Sequence, residues 1–358
     1  MVDTADAVFA FFAAALITWA LVPIAEYLAR RVGAIDTPGP RSQHLVPTPR
    51  MSGLAILAGI EIAGWIWLPA NTETTYILLG AVAVAFVGAL DDIFDLPALV
   101  KLIGQIAAAS IPVIAGVRPD VLTIPFLGGV ELGWTAYPLT IIGIVAVVNI
   151  TNLIDGIDGL AAGLCAIASA AMAVVALSLG RYEAGVLAAI TAGAALGFLR
   201  HGFPPASSFM GDTGSNLLGY MIAVSSVQGA LKTNAVVALA FPLVILAVPI
   251  LDTGFVVAKR IKYKQPIYQA DRWHFHHRMA NKGFSQRRTL AYLYGWTLVL
   301  ALLALALRFV PYSDDRGNFD LAWTALMVFV ILAAVGVSVY LVYVLEILKL
   351  RRTHEPNS

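Results

Sequence analysis

Long apolar runs, separated by short polar segments, make up most of the chain. Many of these runs reach the roughly 18 residues that an α-helix needs to cross a bilayer. Segment 118–134 differs, because it is rich in β-forming residues and predicts a small β-hairpin that turns at Gly128-Gly129. The pattern predicts an all-α polytopic integral membrane protein with about eleven transmembrane helices, at 5–29, 51–69, 75–90, 100–117, 135–150, 159–179, 183–199, 213–230, 234–258, 289–310 and 320–348.

The composition agrees with this pattern and adds an orientation. Hydrophobic residues make up 59% of the chain and charged residues 13%, whereas a soluble domain carries about a quarter charged residues. If the N-terminus lies outside, 18 of the 23 Lys and Arg residues fall in inner loops or in the C-terminal tail. The positive-inside rule therefore predicts an outside N-terminus, a cytoplasmic C-terminus and a periplasmic hairpin. The net charge of +1 points to no nucleic acid, and we expect no such partner.

Five unusual polar clusters fall in the predicted cytoplasmic loops of a single transmembrane domain, 1–358. These loops lie at about 30–50, 91–101, 150–158, 200–212 and 259–288. The clusters are PTPRMSG (47–53), DDIFD (91–95), NITNLIDGIDG (149–159), FMGDTGS (209–215) and HFHHR (274–278). Because all five lie on one face, we expect them to form one site at the boundary between membrane and cytoplasm.

The DDIFD cluster places Asp91, Asp92 and Asp95 at the end of an apolar run. Carboxylates at this density repel one another unless a cation or a shared proton compensates. One interpretation is an acidic helix end in water, and the other is a site where carboxylates and phosphate oxygens meet Mg²⁺. Lys101, which begins the next span, either extends to the membrane interface or holds a phosphate beside these acids.

The NITNLIDGIDG cluster combines two amides, Asn149 and Asn152, with two acids, Asp155 and Asp158. One interpretation is a polar turn between helices, with Asp158 near an N-cap. However, four amide or acid side chains in ten residues exceed what capping needs. We therefore expect this segment to bind a ligand.

The FMGDTGS cluster places Asp212 at the start of a helix. Asp212 could serve only as an N-cap, or it could hold a metal while the free N–H groups of the helix face a phosphate. Phe209 either stacks on a planar ring or anchors the loop in lipid.

The HFHHR cluster contains three imidazoles and a guanidinium in five residues. A zinc site lacks support, because neither an HExxH motif nor cysteine partners are present. A basic surface for lipid headgroups is one alternative. We favour recognition of a diphosphate, to which imidazole and guanidinium groups are suited. His44, three residues before the first cluster, and Arg50, within it, remain open between these interpretations.

Taken together and in this order, the clusters resemble those of the polyprenyl-phosphate N-acetylhexosamine-1-phosphate transferases, glycosyltransferase family 4. The resemblance covers nearly the whole chain, and HFHHR followed by GFSQRRT is similar to the GlcNAc branch rather than to the peptidoglycan translocase. It implies transfer of a sugar 1-phosphate, most simply GlcNAc-1-phosphate, from a UDP-N-acetylhexosamine to undecaprenyl or decaprenyl phosphate, with release of UMP. It also implies Mg²⁺, with Mn²⁺ as a substitute, and a bacterial plasma (inner) membrane, where the reaction would begin synthesis of a cell-wall or surface polysaccharide.

The resemblance also implies roles for individual residues. Asp212 would be the main metal ligand, with Asn152 as a second contact. The catalytic residues would be Asp91, Asp92 and His277, and the nucleotide would contact Asp155, Asp158 and Phe209. The phosphates and sugar would contact Lys101, His274, His276, Arg278, His44 and Arg50. The chain departs from the family pattern at Gly202, where we expect Asn, and at Ser52, where we expect Gly.

Three other functions stay open from the sequence. A peptidoglycan translocase would use UDP-MurNAc-pentapeptide instead. An intramembrane prenyltransferase would also use DDxxD acids with Mg²⁺, but it would not need FMGD or HFHHR. A secondary transporter would place ionisable residues in mid-span and show inverted repeats, whereas these spans are almost free of central charges. A homodimer is left open as well.

Overall fold

The computed structural model describes residues 2–37, 46–124, 128–230, 247–262, 279–280, 282–311 and 320–344. This part of the chain contains eleven helices of at least 15 residues. They are α1 (Thr4–Val32), α2 (Gly53–Trp67), α3 (Thr72–Phe94), α4 (Ala98–Ile114), α5 (Ala136–Ile154), α6 (Leu160–Ser178), α7 (Tyr182–Gly202), α8 (Gly211–Ala230), α9 (Ala247–Lys262), α10 (Gln286–Phe309) and α11 (Leu321–Val344).

Seven of the described helical segments are long and apolar enough to cross a membrane. Two further apolar helices, α2 and α4, are shorter than this length. Large apolar side chains such as Phe9, Phe12 and Phe329 are exposed on the outside of the bundle, as expected for a surface that faces lipid. The protein is thus an all-α, multi-pass membrane protein. The number of spans and their orientation stay predictions, and the first half of the predicted ninth span lies outside the described residues.

Helix α8 lies at the centre of the bundle. It packs against α2, α3, α5, α6 and α7, and its residues from Leu217 to Val224 are buried. Around it, α1 packs on α7 and α6 packs on both α7 and α10. Because α8 packs against five other helices, the position of its first turn depends on several helices at once.

Two short antiparallel strand pairs complete the described part of the chain. Strand β1 (Ile35–Asp36) pairs with β2 (Thr48–Pro49), with Ile35 opposite Pro49. Strand β3 (Val121–Ile124) pairs with β4 (Gly128–Glu131), so the predicted hairpin is present. Its predicted turn is wrong, however, because Gly128 and Gly129 lie in β4, opposite Ile124 and Thr123.

Several predicted loop boundaries are also wrong, because the helices continue past the end of their apolar runs. Helix α3 continues to Phe94, and α4 begins at Ala98, so Asp91 and Asp92 lie on the last turn of α3 rather than in a loop. Helix α5 continues to Ile154 and includes Asn149 and Asn152. Helix α7 continues to Gly202. These polar residues remain helical because side chains on neighbouring helices bind them.

One acid interrupts the centre of an apolar helix. Glu61 lies in the middle of α2, and its Oε2 accepts a hydrogen bond of 3.0 Å from Trp65 Nε1 one turn later. The expectation that the spans carry few central charges therefore has an exception in α2. Trp65 lies on the same helix as Glu61, so this bond does not connect α2 to another helix.

Candidate active site

The ammonium group of Lys101 joins three helices at the end of the bundle where α3 ends and α8 begins. Its Nζ donates to Asp91 Oδ2 at 2.9 Å, to Asn152 Oδ1 at 3.3 Å and to Asp212 Oδ2. These acceptors come from α3, α5 and α8, whereas Lys101 itself lies in the first turn of α4. The side chains of Lys101, Asp91 and Asp212 are 16%, 12% and 29% exposed, so the cluster is partly shielded but remains accessible.

Asn152 holds Asp212 in place within this cluster. Its Nδ2 donates to Asp212 Oδ1 at 2.8 Å and to Ser215 Oγ at 2.9 Å. Ser215 Oγ in turn donates to the carbonyl of Gly211 at 3.1 Å. Both oxygens of Asp212 therefore have partners, and the carboxylate is fixed relative to the first turn of α8.

Asp91 and Asp95 shape the end of α3 differently. Asp91 Oδ1 accepts a 2.7 Å hydrogen bond from the backbone N–H of Leu96, while its Oδ2 faces Lys101. Asp95 ends the helix in the left-handed region with a φ of 56°, and its side chain is exposed. Only the first of these acids therefore belongs to the cluster.

Asp92 is buried beneath the first turn of α8 and is only 4% exposed. Its Oδ1 accepts from the backbone N–H of Asp212 at 2.8 Å. Its Oδ2 accepts from the N–H of Thr213 at 3.0 Å and from Thr213 Oγ1 at 2.6 Å. Asp92 thus caps α8 from another helix, and the expectation that these N–H groups are free to face a phosphate is wrong. Asp212 is not an N-cap either, because it lies inside the first turn.

Two glycines allow the start of α8 to lie this close to α3. A Cβ atom at Gly88 would stand 2.5 Å from the carbonyl oxygen of Asp212. A Cβ atom at Gly211, which has a φ of +66°, would stand 2.5 Å from a carboxylate oxygen of Asp92. Backbone and carboxylate therefore meet directly, which side chains at these positions would prevent.

A second layer of amides lies deeper between the same helices. Asn149 Nδ2 donates to Gln105 Oε1 at 2.7 Å, and Gln105 Nε2 donates to Asn216 Oδ1 at 3.4 Å. The residues predicted for the site do not include Gln105, Ser215, Thr213 and Asn216. Gln105 had a detectable signal, since it lies four residues after Lys101 in an apolar helix and so shares its face.

The segment between α7 and α8 is held by three other parts of the chain. Asp158 Oδ2 accepts from the N–H of Ala206 at 3.1 Å, and Arg287 Nε donates to the carbonyl of Pro204 at 3.1 Å. The Oγ atoms of Ser52 and Ser208 are hydrogen-bonded at 2.5 Å. Asp158 lies near an N-cap, as one interpretation predicts, because it directly precedes Gly159, the N-cap of α6, which has no side-chain capping bond.

Phe209 and Arg50 are linked through the backbone at the edge of this segment. They form a parallel β-bridge, and the N–H of Phe209 donates to the carbonyl of Pro49 at 2.9 Å. Arg50 Nε donates to the carbonyl of Asp92 at 3.1 Å, near the end of α3. The structure therefore places both residues beside the cluster. The remaining predicted contacts, His44, His274, His276, His277 and Arg278, lie outside the described residues.

Negative charge dominates the electrostatics of the site. Asp155 follows α5 directly, and burial raises its pKa well above the ordinary value, to which the charges of Asp212, Asp92 and Asp158 add. Burial also acts to raise the pKa of Asp212, but its contacts with Asp91, Lys101 and Asn152 lower it below the ordinary value. A site with several acids around one ammonium is therefore suited to bind further cations.

The donor set fits a hard divalent cation. Oxygens of Asp91, Asn152 and Asp212 already converge on one cationic group, the ammonium of Lys101. Within the described residues, no group of three His, Cys, Asp or Glu side chains is arranged to enclose a metal. Mg²⁺ typically binds one or two carboxylates together with substrate phosphates, so this partial set is suited to it.

Comparison with known proteins gives the family of the chain. Residues 74–230, which include Asp91, Lys101, Asn152 and Asp212, match glycosyl transferase family 4. A relative from Bacillus subtilis, the probable undecaprenyl-phosphate N-acetylglucosaminyl 1-phosphate transferase, is 41% identical over 304 residues, which is 84% of this chain and 85% of its own. The chain therefore belongs to glycosyl transferase family 4.

Two further relatives differ in the substrates that their names give. The decaprenyl-phosphate N-acetylglucosaminephosphotransferase of Mycobacterium leprae is 36% identical over 319 residues, 80% of each chain. The phospho-N-acetylmuramoyl-pentapeptide-transferase of Geobacillus kaustophilus is 32% identical over 314 residues, 81% of this chain and 94% of its own. Identity to the two GlcNAc-1-phosphate transferases from Bacillus subtilis and Mycobacterium leprae is thus higher than identity to this pentapeptide transferase.

Proposed function

We propose that this protein transfers GlcNAc-1-phosphate from UDP-GlcNAc to a polyprenyl phosphate and releases UMP. The observation that carries the proposal is the contact of Lys101 with Asp91, Asn152 and Asp212 at the ends of apolar helices. An oxygen of the lipid phosphate forms a bond to the phosphorus that carries the sugar. The bond from that phosphorus to the oxygen shared with UMP breaks, and UMP leaves with the electron pair.

Two anions must meet in this reaction, so charge neutralisation and positioning carry most of the catalysis. Lys101 supplies positive charge at the reacting phosphates, and Asp91 holds its ammonium in place. Asp212 and Asn152 would hold Mg²⁺, which neutralises charge on the diphosphate when bound. A phosphate monoester is already largely ionised near neutral pH, because its second pKa is about 6. Asp91 therefore positions Lys101 rather than removing a proton.

The membrane setting suits a lipid acceptor. The polyprenyl tail stays in the apolar phase, while its phosphate reaches the helix ends that carry the cluster. In the proposed topology the chain has eleven spans, and its N-terminus lies outside. These helix ends then face the cytoplasm, where UDP-GlcNAc is available. Asp155, Asp158 and Phe209 would bind the nucleotide, and the segment 274–278 with His44 and Arg50 would bind the phosphates and sugar.

The decisive experiment measures UMP release by the purified full-length protein with Mg²⁺ and undecaprenyl phosphate. UDP-GlcNAc, UDP-GalNAc and UDP-MurNAc-pentapeptide are compared as donors, and we expect UMP release to be fastest with UDP-GlcNAc. Asp212→Ala should abolish release, because it removes a carboxylate that binds both Lys101 and Asn152.

The matched control is Asp95→Asn. Asp95 is a neighbouring but exposed acid, and Asn tolerates its left-handed backbone conformation, so activity should be retained. The proposal is wrong if the wild-type protein releases no UMP from any UDP-N-acetylhexosamine. Release only from UDP-MurNAc-pentapeptide would assign the peptidoglycan reaction instead.

A further inference from the structure

We propose that Asp92 is a positioning residue, which fixes the metal-binding carboxylate of Asp212 by capping α8 from α3. This inference rests on the proposed function and separates two adjacent acids that the sequence treats as a pair. Asp91 faces Lys101, and its side chain is 12% exposed. Asp92 faces the backbone of α8 and is 4% exposed, so it does not reach a substrate.

The contacts of Asp92 account for both of its carboxylate oxygens. Three donors reach them: the N–H groups of Asp212 and Thr213 and the hydroxyl of Thr213. The first N–H groups of a helix have no partner within the helix, and they carry its positive dipole end. A carboxylate at this place is therefore stabilised both by hydrogen bonds and by the dipole of α8.

The capped backbone N–H and the functional carboxylate belong to the same residue of α8, Asp212. Asp92 binds the backbone N–H of Asp212, while Lys101 and Asn152 bind its side chain. The backbone and the side chain of Asp212 are thus held by different residues, on α3 and on α4 and α5. A shift of the first turn of α8 would move the Asp212 carboxylate away from both partners.

An amide cannot replace this carboxylate. Asp92→Asn retains the size of the side chain and one acceptor oxygen. However, the Nδ2 of the asparagine would face the backbone N–H of either Asp212 or Thr213. Both groups are hydrogen-bond donors, so one bond would be lost. The charge that favours the helix N-terminus is lost as well. We therefore expect the first turn of α8 to lose its fixed position in this variant.

The first test measures the cap itself by hydrogen–deuterium exchange in the full-length protein. The peptide that contains Asp212 and Thr213 should exchange faster in Asp92→Asn than in the wild-type protein. Thr213→Val removes one of the three bonds and should have a smaller effect, while Thr213→Ser keeps the hydroxyl and should restore the wild-type rate. Thr140→Val is the matched control, because Thr140 is buried and its hydroxyl donates to the carbonyl of Ala136 in its own helix.

The second test measures the consequence for Asp212. Mn²⁺ binding to the detergent-solubilised protein, followed by electron paramagnetic resonance, should weaken about 10- to 100-fold in Asp92→Asn, as for other residues that orient a metal ligand. The KM for undecaprenyl phosphate should stay within about twofold, because Asp92 does not contact the lipid. A role in stability alone would lower the folded fraction without changing the affinity for Mn²⁺.

Each result has a defined meaning. Unchanged exchange in Asp92→Asn overturns the cap, and unchanged Mn²⁺ affinity overturns the positioning of Asp212. A raised KM for the lipid with unchanged Mn²⁺ affinity would place Asp92 at the substrate and overturn the proposal. If Asp92→Asn does not fold, the pair Thr213→Val and Thr213→Ser decides by the same measurements. If the wild-type protein is inactive with every donor, the proposed function fails, while exchange and Mn²⁺ binding still decide the role of Asp92.

Discussion

Acidic side chains occur at both ends of the helix bundle, but the two ends satisfy them differently. At one end, Asp6, Glu73 and Glu183 each lie in the first turn of a helix. At the other end, Asp91 and Asp92 lie in the last turn of α3. A helix dipole stabilises a carboxylate at the N-terminus and destabilises one at the C-terminus. The acids of the first group are therefore stabilised locally, whereas those of the second need partners from other helices.

The partners found at each end match this difference. Asp6 accepts a hydrogen bond of 2.9 Å from the N–H of Asp3 within its own helix start. It lies with Glu73 and Glu183 around a cavity of about 750 Å³ at that end. Asp91 is bound by Lys101 of α4, and Asp92 by the start of α8. Acidic composition alone therefore does not identify a functional site; what distinguishes the site end is that its carboxylates are bound by partners on other helices.

The largest effect should come from removing the central cation. Lys101→Met keeps an unbranched side chain only one atom shorter but leaves Asp91 and Asp212 without their shared partner. UMP release should fall by roughly 10²–10³-fold, as for the loss of one preorganised donor in other enzymes. Activity close to that of the wild-type protein would show that the convergence on Lys101 is unrelated to catalysis.

Asn152→Ala should have the next largest effect. It removes the bonds from Nδ2 to Asp212 and to Ser215 and leaves the charges of the cluster unchanged. We expect UMP release to fall by about 10- to 100-fold and the Mg²⁺ concentration for half-maximal activity to rise. The comparison with Lys101→Met separates orientation from charge, and equal losses in both variants would contradict that separation.

Gly88→Ala tests the close contact between α3 and α8. The added Cβ would lie 2.5 Å from the carbonyl oxygen of Asp212, so the first turn of α8 must move. The free energy of unfolding should fall by about 1–3 kcal/mol, as for overpacked cores, and UMP release should also fall. Thermal unfolding in detergent measures the first effect.

Gly143→Ala is the control for that substitution. A Cβ at Gly143 meets no atom within 4 Å, and Gly143 lies inside α5. Because Ala is favoured over Gly in helices by up to about 1 kcal/mol, this variant should be equally or more stable and fully active. A comparable loss in both variants would mean that helix α3 has no special contact at Gly88.

The smallest effect should come from the acids of the opposite end. Glu73→Gln removes a charge from the first turn of α3, where the dipole favours it by about 0.3–1 kcal/mol. UMP release should stay at the wild-type level, and thermal stability should fall only slightly. A large loss of activity would show that this end takes part in the reaction, and the contrast between the two ends would then fail.

The sequence predicts much of this fold because apolar length and positive charge are local properties. The helices lie close to the predicted runs, and the hairpin at Val121–Glu131 is present. The DDIFD, NITNLIDGIDG and FMGDTGS clusters also come together, because their helices end on one face. These features follow from hydrophobic periodicity and from the dimensions of a bilayer.

The different roles of Asp91 and Asp92 in the site do not follow from the local sequence. Neighbouring residues on a helix point about 100° apart, so Asp91 and Asp92 must face different surroundings. Which of them faces Lys101 depends on where α8 packs, and that depends on contacts such as the one at Gly88. The role of Gln105 is hidden for the same reason, because its partners Asn149 and Asn216 lie on other helices.

The ammonium of Lys101 also gives the acidic cluster its own counter-ion. Carboxylates that are brought together without a cation repel one another, and many metal sites fold only when the metal arrives. Here the positive charge belongs to the chain itself and reaches the cluster when α4 packs between α3 and α5. The helices can therefore pack around these carboxylates with a neutralising charge that the chain itself supplies.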